Sequence, residues 1–546
     1  MRRLSVLAVG FALLATAAAA QPTPEMQRSA EHVKAHMAFL ASDLLEGREA
    51  GSRGFDIAAE YVASQFRQLG LVPGGDRGSY FQRVPLFAYR NVGEGTFVLR
   101  GPKGVEPLVY GEDYLPSRNP AAAETRVSAP LVFVGFGIVA PEHGRDDYKG
   151  LDVKGKIVVA MDGAPRAFQT EERAYYRSTR NKRGWAAQHG AVGFVSLNTP
   201  GDEKLYPFAN SVKRVKAWSM TWRDPLDSPF VVAPSVPALA AVSVRGASKL
   251  FAGAPAPLEA IWAAGEALAG DPPRFALPRT LDAAFTTESH VVESRNVVGL
   301  IEGSDPVLKA QTVVLSAHLD HVGVVEGGKD DVINNGALDN AAGVATTLEV
   351  ARAFMESGKR PKRSVLFLAV TGEEKGLLGA EYFARNPTVP LESIVADVDL
   401  DMPVLTYDFT DVVAFGADRS GIGAAVKRAA GRMGVVLSPD PMPDEGLFTR
   451  SDHYRFVEVG VPAVFLMTGF QNGGEAQFRD FLANRYHRPG DDLAQPIDYL
   501  AGAKFARLNY EITRELTDAV ARPQWNAGDF FGEKFGKPAA ALAATP

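Results

Sequence analysis

The chain has 546 residues, room for about three or four domain-sized units rather than one core. Its 58 basic and 64 acidic side chains leave a formal charge of −6, no electrostatic footprint for nucleic acid, and 46% hydrophobic against 22% charged residues excludes a disordered chain. Cysteine is absent, which rules out disulfides, thiol nucleophiles, thiolate metal sites and iron–sulfur clusters, so any metal must be held by histidine and carboxylate.

Arg2 and Arg3 precede an apolar run over 4–14, and the small residues 17–20 end in an A-x-A pattern before Gln21, so residues 1–20 read as a secretory signal peptide. The expectation is an exported chain, periplasmic or secreted, with no membrane span in its mature form. Helical spacing follows over 32–45 and 54–69, completing a first segment, 21–100, whose end at 81–100 is strand-rich. From 101 to 278 short β-like runs such as 131–134 and 156–160 alternate with Gly, Pro and Asp turns, which predicts a separate β-rich domain. Inside it the basic cluster Arg173, Arg177, Arg180, Lys182 and Arg183 adjoins Glu171 and Glu172, and reads as a solvated helix face in preference to an anion site.

From 279 to 521 strand and helix alternate: strands near 313–316, 364–370, 393–400 and 461–467, helices near 341–355, 377–385, 422–433 and 497–516. This predicts an α/β fold with a mostly parallel central sheet sandwiched by helices, its reactive groups beyond the carboxyl ends of the strands. The tail, 522–546, is rich in Pro, Ala and Gly and is expected to be only partly ordered.

Candidate acid–base and metal residues fall at those strand ends: His318 and Asp320, then Asp339 before a helix, Glu373 and Glu374, Asp401, and later His487. Taken singly, each has a plainer reading as a satisfied histidine, a helix cap or a solvated glutamate. Together they offer imidazole and carboxylate ligands enough for two divalent ions sharing Asp339 as a bridge.

The ordered segments Ala317-His318-Leu319-Asp320, Gly336 to Gly343, Gly372-Glu373-Glu374, Asp401-Met402 and Tyr486-His487 resemble the co-catalytic di-zinc aminopeptidases, whose relatives include glutamate carboxypeptidases. The likeness extends to Phe39 to Asp43, Leu45-Glu46-Gly47-Arg48, Ser294 to Gly299 and Ser451-Asp452-His453, while 101–278 resembles a protease-associated (PA) domain insert. The resemblance implies two Zn2+ ions, other divalent metals being possible: His318 and Asp401 on one, Glu374 and His487 on the other, and Asp339 on both. It implies Glu373 as general base toward a shared water. Tyr486 is either an oxyanion donor or a packing tyrosine. Asp320 suits a carboxylate that orients the His318 imidazole, and Asp491 a similar partner near His487 or a turn cap. His321, Asp452 and His453 read as structural or outer residues.

The implied function is a zinc exopeptidase that hydrolyses N-terminal residues from peptides. A glutamate-carboxypeptidase-like enzyme, a cyclase-like acyl transferase on one zinc and a non-catalytic binding protein on the same scaffold are the alternatives. A substrate C-terminal carboxylate would want an arginine, for which Arg419, Arg450, Arg485 and Arg488 are candidates.

Overall fold

A computed structural model describes residues 21–536 apart from 103, 326 and 329; the expected leader, 1–20, lies outside the described residues. Helix α1 (Pro24–Leu40) begins eight residues before the predicted start, because Thr23 accepts the Met26 N–H and Pro24 occupies the first turn. It stops at Leu40, short of the predicted 45: Glu46, Gly47 and Arg48 all have left-handed φ, a turn that swings Arg48 into the interior. Helix α2 (Arg53–Leu69) is capped by Ser52 and closed by left-handed Gly70, and buries Phe55, Ala58, Ala59, Val62, Ala63 and Phe66 along one stripe.

The strands used below are, in chain order, β1 (Phe81–Gly101), β2 (Tyr114–Pro116), β3 (Glu124–Phe133), β4 (Ile157–Met161), β5 (Gly193–Leu197), β6 (Ser219–Trp222) and β7 (Ala238–Val242). They continue with β8 (Phe275–Ile301), β9 (Thr312–His318), β10 (Ser364–Val370), β11 (Ile394–Leu400), β12 (Asp411–Phe415), β13 (Val436–Ser438) and β14 (Ala463–Thr468). One sheet runs β13-β12-β14-β11-β9-β10-β8-β3-β4-β5-β7-β2, with β1 paired to β8 and β6 to β1. At its centre β10, β9, β11 and β14 are parallel neighbours, and every residue of all four is buried, as expected where helices cover both faces. Helices α3 (Thr179–Gln188), α4 (Ala342–Glu356), α5 (Leu378–Arg385) and α6 (Tyr499–Asp518) complete the elements used below; α1 and α6 both pack on α4.

The long strand β8 is the feature the sequence reading divided. From Leu277 to Thr287 its buried residues alternate with exposed or half-buried ones, and it pairs with β1 and β3; from Val297 to Ile301 it pairs with β10. The expected boundaries at 101 and 278 therefore lie at the far end of a β1–β8 ribbon that joins both halves in one sheet. The tail is more ordered than expected up to 536: a last helix, α7 (Phe530–Phe535), buries Phe531, and Asp529 caps it.

Candidate metal centre

Strand ends and loops bring His318, Asp339, Glu374, Asp401 and His487 to one point. His318 closes β9, Glu373 and Glu374 follow β10, and Asp401 follows β11. His318 Nε2 lies 3.0 Å from Asp401 Oδ1 and 3.2 Å from Asp339 Oδ1; His487 Nε2 lies 3.2 Å from Asp339 Oδ2 and 3.0 Å from Glu374 Oε2. Asp339 thus turns one oxygen to each histidine. The His318 and Asp339 side chains are almost fully buried, whereas that of His487 is 35% exposed, so the centre opens on the His487 side.

His321 joins this group, although the sequence reading set it aside as structural or outer. Its side chain is fully buried, and Nδ1 stands 2.8 Å from Glu374 Oε1 and 3.8 Å from Asp339 Oδ2. The available signal was its position three residues after His318. Two triads of donor atoms, His318–Asp339–Asp401 and His321–Asp339–Glu374, each lie within 4.8 Å of one another. Both His321 ring nitrogens, Asp339 Oδ2 and Glu374 Oε1 are buried with no well-aligned hydrogen bond. Stranded donors of this kind, all imidazole or carboxylate, fit a pair of divalent cations.

The supports explain the geometry. The His318 Nδ1 nitrogen lies 3.0 Å from the main-chain oxygen of Asp320, to which its N–H donates, turning Nε2 toward the carboxylates. The Asp320 carboxylate does not orient the imidazole, contrary to expectation; it accepts the N–H groups of Glu373 and Glu374 and fixes the turn that carries them. Asp491 likewise braces Asp339 rather than His487, accepting the N–H groups of Leu338 and Asp339 at 3.0 Å each. Asn340 donates to Leu400 O at 2.7 Å, tying the Asp339 loop to the strand that ends at Asp401. Gly336 has φ 61°, and a side chain there would stand 2.6 Å from the His321 ring, so the loop closes on that histidine only with glycine.

Arg48 lies beneath both triads, 1% exposed. Its guanidinium donates to the main-chain oxygens of Leu319 (3.0 Å), Asn335 (2.6 Å) and Gly336 (3.0 Å) and also to Leu40 O. Burial pulls it down to about 10, against the raising charges of Asp491, Asp339, Asp320 and Glu374. Behind Asp401, the Ser451 hydroxyl reaches Asp401 Oδ2 (2.8 Å) and Asp399 Oδ2 (2.7 Å), and Ser316 lies between Asp399 and Asp397. Of the three alternating aspartates, Asp401 lies against His318, while Asp399 lies 3.8 Å from His453.

The electrostatics separate the two adjacent glutamates. Burial pushes Glu373 well above the usual carboxylate range; His318 opposes this, while the charges of Glu374, Asp401 and Asp452 add to it. For Glu374, burial and Asp339 raise the value, but the close His321 and His487 imidazoles prevail and hold it at about 2. His487 is lowered by burial yet lifted to about 10 by its bonds to Asp339 and Glu374. The Tyr486 ring stacks on His487, centroids 3.8 Å apart, and burial next to Asp339 and Glu374 keeps its phenol protonated.

Residues 296–513 match the family described as Peptidase family M28. A probable zinc metalloprotease of Pyricularia oryzae is 28% identical over 292 residues, 46% of this chain and 56% of that protein. One of Pyrenophora tritici-repentis is 43% identical over 238 residues, 35% and 54% of the two chains. A vacuolar membrane protease of Tuber melanosporum is 34% identical over 259 residues, 44% of this chain and 24% of that one. The chain thus spans about half, or less, of the length of these relatives. Among solved structures, an aminopeptidase from Aneurinibacillus sp. strain AM-1 shares the fold, with a TM-score of 0.51 and 20% identity over 89% of this chain and 94% of that one. These relatives correct the expected periplasmic or secreted location, since several are named vacuolar membrane proteases of fungi. Among the described residues no helix is long and apolar enough to cross a membrane.

Proposed function

Residues 296–513 belong to peptidase family M28, and from that premise we propose that the chain is a zinc-dependent exopeptidase releasing N-terminal residues from peptides. The observation that carries the reading is the single carboxylate, Asp339, facing a histidine on either side, with Asp401 completing one donor group and Glu374 the other. His318, Asp339 and Asp401 would hold one zinc, and Asp339, Glu374 and His487 the second, with His321 against the Glu374 oxygen that His487 does not use. Zinc bound there would supply Lewis acidity to the scissile carbonyl and make a nucleophile available at neutral pH.

Glu373 stands beside this cluster without being one of its six donors. A carboxyl group raised by burial and by neighbouring anions is poised to take the proton of the attacking water and hand it to the leaving amine. Tyr486, kept neutral beside His487, would donate a hydrogen bond from its hydroxyl to the oxyanion that develops at the carbonyl. To the segment 101–278, which contains none of these proposed ligands, we assign the shaping of access to the site.

The test separates the glutamates, because a base and a ligand fail differently. Glu373→Ala is expected to keep both metals while turnover falls by roughly 10²- to 10⁴-fold, with no rescue by added zinc. Glu374→Ala is expected to lose or weaken one ion and to recover part of its activity in excess zinc. Metal content and turnover of the two variants, measured side by side, check this; two metals in Glu374→Ala with metal loss in Glu373→Ala would exchange the roles, and normal turnover in both would remove the site.

A further inference from the structure

The basic cluster read as a solvated face is solvated only in part, Arg177 being its exposed member. Lys182 is 2% exposed and its ammonium is spent on the main-chain oxygens of Met161 and Gly163. Arg173 pairs with Asp444 and Arg177 with Asp162. Arg180 and Arg183 stand on α3, Arg180 reaching Glu381 in the catalytic half and Arg183 held by main-chain oxygens of the inserted segment. They meet Arg118 and Lys375 around a cavity of about 240 Å³ between the inserted segment and the loop that follows Glu374. Lys375 is the next residue after Glu374, and its ammonium lies 2.7 Å from Glu49, whose side chain packs close to Gly323, two residues from His321. The cavity thus shares with the metal centre the loop that carries Glu374 and Lys375.

Four cationic side chains line this cavity against one carboxylate, Glu381. Glu381 is already matched: Arg180 pairs with it, and Trp222 Nε1 and Arg385 Nε donate to it at 3.2 and 3.1 Å. Arg183 has no carboxylate partner among the described residues. Its Nε and Nη2 donate to the main-chain oxygens of Val236 and Ala233, and Nη1 makes no hydrogen bond among them. Burial lowers the Arg183 guanidinium, opposed by the Tyr89 hydroxyl, a weak acid that burial keeps protonated. A half-buried cation without a counter-charge is costly, and an incoming carboxylate relieves that cost with charge-assisted bonds. The four arginines the sequence offered are not at this place: Arg419 is buried between Phe448 and Phe531 and paired with Glu171 and Asp529, while Arg450 and Arg485 pair locally with Glu445 and Asp480.

We infer that the cavity lined by Arg118, Arg180, Arg183 and Lys375 binds a carboxylate of the substrate beside the metal centre. The inference rests on the exopeptidase reading for the word substrate and goes beyond it in naming the substrate's chemistry. The carboxylate has two sources, an acidic side chain of the peptide or its free C-terminus, and the volume suits either.

The experiment uses the zinc-loaded full chain and two matched pairs. The p-nitroanilides of glutamate and glutamine differ in side-chain charge and have no free C-terminus; Leu-Gly and Leu-Gly-amide differ only at the C-terminus. In one pair the charged member is expected to have the higher kcat/KM by roughly 10-fold or more, and which pair does so identifies the source. Arg183→Gln is expected to erase that preference and Arg183→Lys to keep part of it, with circular dichroism reporting the fold of both. In a parallel arm, calorimetry with glutarate on zinc-free protein is expected to show binding that Arg183→Gln abolishes. Turnover of the neutral substrates with no charge preference in either pair, or an undiminished preference in folded Arg183→Gln, overturns the inference. No turnover of any substrate overturns the exopeptidase reading instead, and glutarate binding then decides the cavity alone.

Discussion

Arg48 has an unusual task for a buried charge, because every bond it makes goes to main-chain oxygen and none to a carboxylate. The oxygens it gathers belong to Leu319, next to His318, and to Asn335 and Gly336, which open the loop carrying Asp339; its own carbonyl accepts the His321 N–H at 3.3 Å. One side chain therefore sets the spacing of three loops around the proposed ligands, and its charge offsets part of the carboxylate cluster above it. Arg48→Met leaves those carbonyls buried without donors and is expected to cost about 3 kcal/mol or more of stability, read from urea denaturation. Arg48→Lys restores charge but not the fork that spans three loops, so it is expected to fold and yet bind zinc roughly 10- to 100-fold more weakly, measured by competition with a chromophoric chelator. Unchanged zinc affinity in folded Arg48→Lys would leave Arg48 a packing residue only.

Helix α5 is one of the elements at which the inserted segment meets the catalytic half, and Glu381 is a joint there. Its side chain is 3% exposed and takes Arg180 and Trp222 from one side and Arg385 from its own helix. Burial works to raise it, but the Arg180 hydrogen bond and the charges of Arg455, Arg180 and Arg385 prevail and hold it at about 2 against an ordinary 4.5. A carboxyl depressed in the folded state stabilises most above its unfolded value and loses that contribution as pH falls through the folded one, here on the order of 3 kcal/mol between about pH 4.5 and 2. The melting temperature of Glu381→Gln is thus expected to lie below that of the parent at pH 7, with a gap that narrows as pH falls below 4.5; a gap independent of pH would show that packing, not charge, makes the joint. This element also marks what the sequence could and could not disclose. The 3.6-residue and strand patterns placed α4, α5 and the four central strands within a residue or two, because each is covered on both faces and its apolar run is long. The proposed ligands were legible because they stand at the ends of those strands. The roles of Asp320 and Asp491 were not, since both act through backbone N–H groups that no side-chain pattern encodes. Nor was the environment of Arg180 and Arg183, whose partners Glu381 and Val236 lie far away in sequence.

At the scale of the whole molecule the β1–β8 ribbon decides how separable the two halves are. Arg100 pairs with Thr280, and beyond that pair Gly101 lies against Pro278 and Arg279, so the ribbon can close there as a hairpin. Replacing 102–278 by Asn-Gly, which suits a two-residue turn between antiparallel strands, removes β2 to β7 and α3 without touching any proposed ligand. Much apolar surface is uncovered by this, because buried residues of both halves belong to one continuous cluster in which Phe97 and Phe285 stack across the ribbon and Phe133, Leu131 and Leu281 lie beside them. The shortened chain is therefore expected to be less stable and more prone to associate. Its centre should still take up two zinc ions per chain, by metal analysis after gel filtration, since every donor comes from α1-side loops, strand ends or the His487 turn. It is also expected to turn over a neutral substrate such as leucine p-nitroanilide while losing any preference for a carboxylate, because Arg118, Arg180 and Arg183 leave with the deleted segment. A shortened chain that keeps native helical content and binds no metal would show that the inserted segment helps to build the centre rather than only its approach.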